Sequence, residues 1–238
     1  VGAMTDLLVS EIFGPTIQGE GPLAGHPATF VRLGLCNLQC GVGAGATWAC
    51  DTPYTWDWKG LLGTPHNRSV ELRHVGVDDL VDQARGWTPD VVVVTGGEPM
   101  VQWKNLRGFL EATVQFKTVQ IETNGTLVPP VRAGALWVVS PKTANSGEDT
   151  LESIDFLAWR LLDAQFKFVC ATGLDVAAIH DVCTRERIAP REVWIMPAGT
   201  SPEALQASLA AILPVAAEWG FKVSGRLHVS AFGNRRGV

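Results

Sequence analysis

Three cysteines fall within fifteen residues, at Cys36, Cys40 and Cys50, in a chain that has five. An odd number gives no disulfide framework, and a tight group of three suits metal ligation in a reducing compartment. A structural zinc site needs four ligands, and the nearest candidates, His26 and His66, lack finger-like spacing. Three thiolates suit a four-iron cluster with one iron left open to a small chelating ligand. The other two read as packing: Cys170 ends an apolar run, and Cys183 shares an apolar helix face with Val176 and Ile179.

Further reactive residues recur just after apolar runs. The turns read Cys36-Asn37-Leu38-Gln39-Cys40, Thr95-Gly96-Gly97-Glu98-Pro99, Glu122-Thr123-Asn124-Gly125, Ser140-Pro141-Lys142 and Met196-Pro197-Ala198-Gly199. Gly, Pro and Asn make turns anywhere, but Glu and Lys recurring with them outline a ligand site. Ser140 and Lys142 offer donors to a carboxylate or ribose, and Glu122 offers acceptors to ribose hydroxyls. Gly97 lets the backbone approach a ligand closely. Arg32 alternates onto the same side as Phe30 and Gly34, toward Cys36. A guanidinium facing an interior needs an anion, supplied either by a substrate carboxylate or by an internal salt bridge.

The elements that must hold these residues are short strands with helices between several of them. Strands are expected at 8–13, 29–35, 91–94, 118–121, 136–139, 166–169, 193–195 and roughly 222–229. The clearest helix has Ser201 as its cap, Pro202 at its first position and Gly220 at its end, with Leu205, Leu209, Ile212, Leu213 and Ala216 on one face. Shorter helices are expected near 77–85, 103–115 and 175–184. The pattern predicts an α/β fold: a mostly parallel sheet forming a partial (β/α) barrel, with its ligand site at the carboxyl edge of the strands.

Composition narrows the function classes. At 238 residues, 46% hydrophobic and 18% charged, the chain buries a substantial core, and 4–238 is expected to be a single domain. Val1 to Ala3 before Met4 read as an appended, non-native remnant with no part in function. A net charge of −5 without a Lys/Arg run argues against a nucleic-acid partner, and no apolar stretch reaches the ~20 residues of a membrane span. A cytoplasmic protein is the expectation.

Cysteines after a strand, joined to Gly96-Gly97-Glu98-Pro99, resemble the radical S-adenosylmethionine superfamily, whose signature is CxxxCxxC. Here nine residues separate Cys40 from Cys50 where two are usual. The longer closure adds only about 1 kcal/mol of loop entropy, by (3/2)RT ln(10/3), and the glycines of the insertion are expected to give it flexibility. Cys50 is the third ligand by resemblance, because the family's Cys-Asp-Thr ending is present as Cys50-Asp51-Thr52. The segment Glu11-Ile12-Phe13-Gly14-Pro15-Thr16-Ile17-Gln18-Gly19-Glu20-Gly21 and the C-terminal Arg226-Leu227-His228 and Gly233-Asn234-Arg235-Arg236-Gly237 resemble 7-carboxy-7-deazaguanine synthases more narrowly.

That resemblance implies a radical lyase of queuosine and deazapurine biosynthesis, contracting 6-carboxy-5,6,7,8-tetrahydropterin to 7-carboxy-7-deazaguanine with loss of ammonia. It implies a 4Fe-4S cluster on Cys36, Cys40 and Cys50, and Mg²⁺ on Thr52. It assigns S-adenosyl-L-methionine to Ala49, Cys50, Asp51, Gly97, Glu98 and Glu122, to Ser140, Pro141 and Lys142, and to Met196, Pro197, Ala198 and Gly199. The pterin falls to Ile17, Gln18, Gly19, Glu20, Arg32, Thr95 and His228; Gln18 and Glu20 offer the mixed donors and acceptors its pyrimidine ring requires. An external electron donor such as flavodoxin is implied. A homodimer is expected from the resemblance and from nine Trp. The alternatives are a glycyl-radical-enzyme activase, or a non-catalytic iron–sulfur or zinc module.

Overall fold

A computed structural model describes residues 6–238, so the expected remnant at Val1 to Ala3 lies outside the described residues. Nine strands form one sheet: β1 (Asp6–Ile17), β2 (Pro27–Leu33), β3 (Arg73–Gly76), β4 (Val91–Gly96), β5 (Thr118–Thr123), β6 (Leu136–Val139), β7 (Gln165–Cys170), β8 (Val193–Pro197) and β9 (Lys222–Val223). Their order is β3-β1-β2-β4-β5-β6-β7-β8-β9. From β2 to β9 every pairing is parallel, while β1 runs antiparallel to both its neighbours. The sheet is open, mixed and mostly parallel.

The helices are α1 (Arg68–Glu71), α2 (Val77–Gly86), α3 (Trp103–Thr113), α4 (Phe156–Leu161), α5 (Gly173–Arg185), α6 (Pro202–Glu218) and α7 (Leu227–Phe232). Strand side chains alternate between faces. Val31, Leu33, Val92, Val94, Ile121, Phe166, Phe168 and Ile195 pack with Leu80, Leu106, Phe109, Trp159, Ile179 and Ile212 from the helices. The neighbouring positions Phe30, Arg32, Glu122 and Lys167 face a cavity instead. Because β2 and β4 to β8 are parallel, their carboxyl ends share one edge, where the polar turns gather.

Local chemistry sets the element ends. Ser201 caps α6 by accepting from Ala204 N–H, and Thr172 with Asp175 forms a reciprocal capping box on α5. Strand β2 stops at Leu33, two residues before Leu35 enters the left-handed region at φ 71°. The strand expected over 222–229 is corrected: only Lys222–Val223 pair with β8, and after Gly225 the chain turns into α7. Its short apolar run serves a helix face, with Val229 buried. Strand β3 and helices α1 and α4, each of six residues or fewer, carry too little periodicity to be read from sequence. Cys170 and Cys183 are buried, as packing residues should be. None of the nine Trp is exposed; Trp137 and Trp159 are fully buried with ring centroids 5.4 Å apart. The argument from tryptophan number to an interface therefore fails, since one chain accommodates them all.

Two glycines separate packing from propensity. A Cβ on Gly97 would stand 1.9 Å from the Leu35 carbonyl oxygen, whereas one on Gly108 in α3 meets nothing within 4 Å. Gly108→Ala should stabilise by about 1 kcal/mol and raise Tm by roughly 2–4 °C in thermal melts. Gly97→Ala should cost on the order of 4 kcal/mol or prevent folding; a Gly97→Ala protein that melts with the parent contradicts this packing.

Candidate active site

The cavity at the carboxyl edge has a volume of about 870 Å³. Cys36, Cys40 and Cys50 all line it as free thiols. Burial pushes the Cys36 thiol up to about 12 and Cys40 up to about 11, and raises Cys50 as well. Neutral thiols so placed are poor nucleophiles, and only a bound cation makes them thiolates readily. Donors already point at sulfur: Leu38 N–H to Cys36 Sγ at 3.5 Å, and the Trp56 indole N–H to Cys50 Sγ at 3.4 Å. Among the described residues no three His, Cys, Asp or Glu side chains are grouped to hold a single ion. Thiolates of a cluster each take a different iron, and bonds to their sulfurs tune it, so the donor set fits a cluster.

The long Cys40–Cys50 insertion is docked. Gly41 N–H donates to Ser146 O at 2.7 Å, Thr47 N–H to Asn145 O at 2.8 Å, and the Trp48 indole to Asn145 Oδ1 at 3.0 Å. Gly43 packs so closely on Gly147 that a Cβ would lie 2.1 Å from its carbonyl oxygen. Close approach, rather than the expected flexibility, explains that glycine.

The Gly-Gly-Glu turn is also a packing device. Gly97 N–H donates to Leu33 O at 3.0 Å and Glu98 N–H to Leu35 O at 2.7 Å, which clamps β4 to the backbone leading into Cys36. The Glu98 carboxylate is fully buried and accepts from Met100 N–H, Thr123 Oγ1 and Asn124 N–H at 2.9, 2.7 and 2.6 Å. Its side chain does not line the cavity, and the carboxylate ties the ends of β4 and β5 instead of facing a cofactor. Gly19, Pro141 and Pro197 are also absent from the lining. Gly19 instead makes room for the C-terminal segment, since a Cβ there would sit 2.4 Å from His228 Nδ1.

Most other expected residues do meet at the cavity. Ile17, Gln18, Glu20, Arg32, Thr95 and His228 line it from the substrate set. Ala49, Asp51, Gly97, Glu122, Ser140, Lys142, Met196, Ala198 and Gly199 line it from the cofactor set, and Thr52 lines it too. Several are committed to one another. Lys167 donates to Glu20 at 2.6 Å and to Glu122 at 3.0 Å; Arg226 donates to Glu20 at 2.8 Å, to Gly199 O at 2.8 Å, and to Asp51. Gln18 donates to Glu122 at 3.1 Å and accepts from Glu20 N–H at 3.2 Å. Ligand recognition by Gln18, Glu20 or Glu122 therefore has to share these bonds. Lys167 is the residue that sequence reasoning missed, and Arg226, singled out only within the C-terminal Arg226-Leu227-His228 motif, was given no role. The signal for Lys167 was a lone charge inside Phe166-Lys167-Phe168.

Burial works to raise the Glu20 pKa, but the Lys167, Arg226 and His228 charges outweigh it and hold the carboxyl well below the usual carboxylate range. Burial likewise opposes the charge on Lys167, and Glu122 and Glu20 overcome it. Arg32 donates from Nε to Glu11 at 2.7 Å, so the internal salt bridge exists. That bond uses Nε alone, and the terminal nitrogens have no hydrogen-bond partner among the described residues. Lys142 donates to Ser140 Oγ at 3.1 Å and has no carboxylate partner among them.

Glu20→Gln removes an anion shared by two buried cations. It should cost about 3–5 kcal/mol, lowering Tm by roughly 6–20 °C. The acid limb follows from the same shift. A carboxylate depressed in the folded state contributes stability above its unfolded value of about 4.3, and that contribution is lost only as pH falls toward the lower folded value. His228, depressed mainly by burial, has the complementary window: stability declines as pH falls through about 6.5, where the unfolded chain takes the proton first. Melts from pH 7.5 to 3 should show two steps, with His228→Gln lacking the upper one.

No family profile matches the chain. Curated proteins do. The chain is 35% identical over 236 residues to the 7-carboxy-7-deazaguanine synthase of Pyrobaculum aerophilum, which covers 96% of both. It is 34% identical over 238 residues to that of Hyperthermus butylicus, covering 94% of this chain and 92% of the relative. With that of Rhodopirellula baltica the identity is 31% over 255 residues, covering 98% and 90%. The crystal structure of QueE from Escherichia coli shares the fold, with a TM-score of 0.64 at 24% identity over 92% of this chain and 93% of that one. Similarity at this level over nearly the whole length, joined to three thiols at the mouth of a cavity on a parallel sheet edge, places the chain in the 7-carboxy-7-deazaguanine synthase family.

Proposed function

We propose how this chain performs the family's reaction, the ring contraction of 6-carboxy-5,6,7,8-tetrahydropterin to 7-carboxy-7-deazaguanine with loss of ammonia. The observation that carries the reading is the distribution of free charge. Among the cavity's basic side chains, Lys167, Arg226 and Arg236 are each held by two carboxylates, whereas Lys142 and the exposed Arg235 have none among the described residues and Arg32 keeps its terminal nitrogens free. Lys142 lies close enough to Cys40 to lower its thiol against the effect of burial. It is therefore suited to the carboxylate of a ligand bound at the open iron, with Ser140 beside it. Arg32 is suited to the pterin carboxylate, since terminal guanidinium nitrogens bind a carboxylate in a fork.

In this reading Cys36, Cys40 and Cys50 hold the cluster, which together with S-adenosylmethionine supplies one-electron chemistry when bound. The chain's own residues orient and enclose. Phe13 and Phe30, stacked with centroids 5.0 Å apart, give an apolar wall suited to a flat ring. Thr52 Oγ1 donates to Gly96 O at 3.4 Å, which leaves its lone pairs available to Mg²⁺ beside substrate oxygens and water. The reductant is an external donor of the flavodoxin type. Five free thiols suit a reducing compartment such as the cytoplasm, and no described helix is long and apolar enough to cross a membrane. For a homodimer, exposed Leu157 and Leu161 of α4 offer apolar surface.

Anaerobic reconstitution tests the ligand set. Cys36→Ala, Cys40→Ala and Cys50→Ala should each lose the thiolate-to-iron absorbance near roughly 400 nm, and Cys170→Ala should keep it. Full retention by Cys50→Ala sinks the assignment. Arg32→Ala should keep the cluster and lose carboxypterin affinity by about 30-fold or more, the effect of about 2 kcal/mol. Titration that matches the parent protein would make Arg32 a structural ion-pair residue only.

A further inference from the structure

After α7 the chain returns to the cavity, and residues 233–238 line it. One side chain ties that tail down. Arg236 donates from Nε to Glu11 Oε1, and from Nη1 to Glu71 Oε2 at 2.8 Å. Its guanidinium carbon also stands 3.7 Å from the centre of the Tyr54 ring. These anchors belong to three separate pieces of chain: Glu11 to β1, Glu71 to α1, and Tyr54 to the segment that follows Cys50-Asp51-Thr52. The other oxygen of Glu11 accepts from Arg32 Nε at 2.7 Å and from the Tyr54 hydroxyl at 3.2 Å. Glu11 is thus one counter-ion shared by two arginines.

We infer that Arg236 is a positioning residue for the substrate end of the cavity, seating the C-terminal tail as a wall and sharing Glu11 so that the charge of Arg32 is not cancelled by that carboxylate alone and can serve an anionic substrate. The charge count makes the point. Glu11 and Glu71 carry two negative charges, balanced by Arg32 and Arg236. Without Arg236 the group holds a net negative charge directly behind Arg32, and like charge opposes the approach of the pterin carboxylate to it. The same loss frees the tail from Tyr54, opening the wall to water. The contact is partly exposed, with the Arg236 side chain at 40% accessibility, so its effect is moderate. Arg226, which precedes α7, does not substitute for Arg236, because it is already committed to Glu20 and Asp51.

This inference rests on the proposed role of Arg32 in binding the carboxylate, and the experiment separates the two. Arg236→Gln and Arg236→Lys holoenzymes are prepared anaerobically and compared with the parent. For Arg236→Gln, KM for the carboxypterin should rise by about tenfold, the loss expected for a partly exposed ion pair with a cation–π contact, while kcat stays within about twofold. Arg236→Lys keeps the charge and should recover part of that loss, though not all, because an ammonium lacks the planar guanidinium that lies over Tyr54 while reaching both carboxylates. Hydrogen exchange without substrate should show faster amide exchange at 233–238 in Arg236→Gln and unchanged exchange in β4 to β8. Faster tail exchange with an unchanged KM leaves Arg236 as a latch but removes the role of Glu11 and Arg32 in substrate binding. A tail and KM both like the parent's overturn the inference, as does equal loss in both variants together with loss of cluster absorbance, which would assign Arg236 to fold maintenance.

Discussion

Lys167 carries its charge in the middle of β7 with almost no access to water, and that is affordable only because Glu20 and Glu122 both reach it. An ammonium in such a place without anions would cost several kcal/mol. The constraint reaches far along the chain. Glu20 ends the first strand-and-turn unit, Glu122 stands at the carboxyl end of β5, and Arg226, which shares Glu20, precedes α7. Arg226 then binds Asp51, the residue after Cys50. One buried cation therefore fixes the relative positions of the antiparallel β1, the parallel strands, the Cys40–Cys50 loop and the C-terminal segment.

Such a network gives the cavity a rigid polar floor. Fixed ion pairs do not reorganise when a ligand enters, so their dipoles act on bound groups at no further cost in orientation. Glycine does the complementary work in the backbone. Gly97, Gly43 and Gly19 each admit a neighbour that a Cβ would exclude: the Leu35 carbonyl, the Gly147 carbonyl and the His228 ring. In all three the contact is between two parts of the protein, and the ligand benefits because the walls come close enough to surround it.

Sequence alone exposed the strands with four or more apolar residues and the turns that follow them, since alternation and punctuation are local properties. Cys36, Ser140 and Lys142 stood out for the same reason: each sits within three residues of the end of a strand of the parallel sheet, and such positions share an edge, whereas Cys50, seventeen residues past β2, was assigned only by its Cys-Asp-Thr resemblance. What stayed hidden depends on distance along the chain. Glu98 reads as a ligand from its Gly-Gly-Glu-Pro setting, yet its carboxylate turns away to Thr123 and Asn124, about 25 residues on. Gln18 and Glu20 read as open recognition groups, yet their partners lie more than a hundred positions away in Glu122 and Lys167. Hydrogen-bond commitment is a tertiary property, and residue type alone does not disclose it.

The insertion between Cys40 and Cys50 shows how the same limits act on energetics. Loop entropy treats the nine residues as a free chain, for which the added cost is about 1 kcal/mol. Here Gly41, Thr47 and Trp48 bond to the turn at 145–146, so the segment is ordered by contacts outside itself. Asn145 in turn donates to Val169 O at 3.1 Å, at the end of β7, two residues beyond Lys167. The third cysteine is therefore referred to the same strand that carries the buried ammonium, by neutral hydrogen bonds on one side and by the Asp51–Arg226–Glu20 ion pairs on the other. A longer loop does not imply a looser ligand when both of its flanks are tied to one strand.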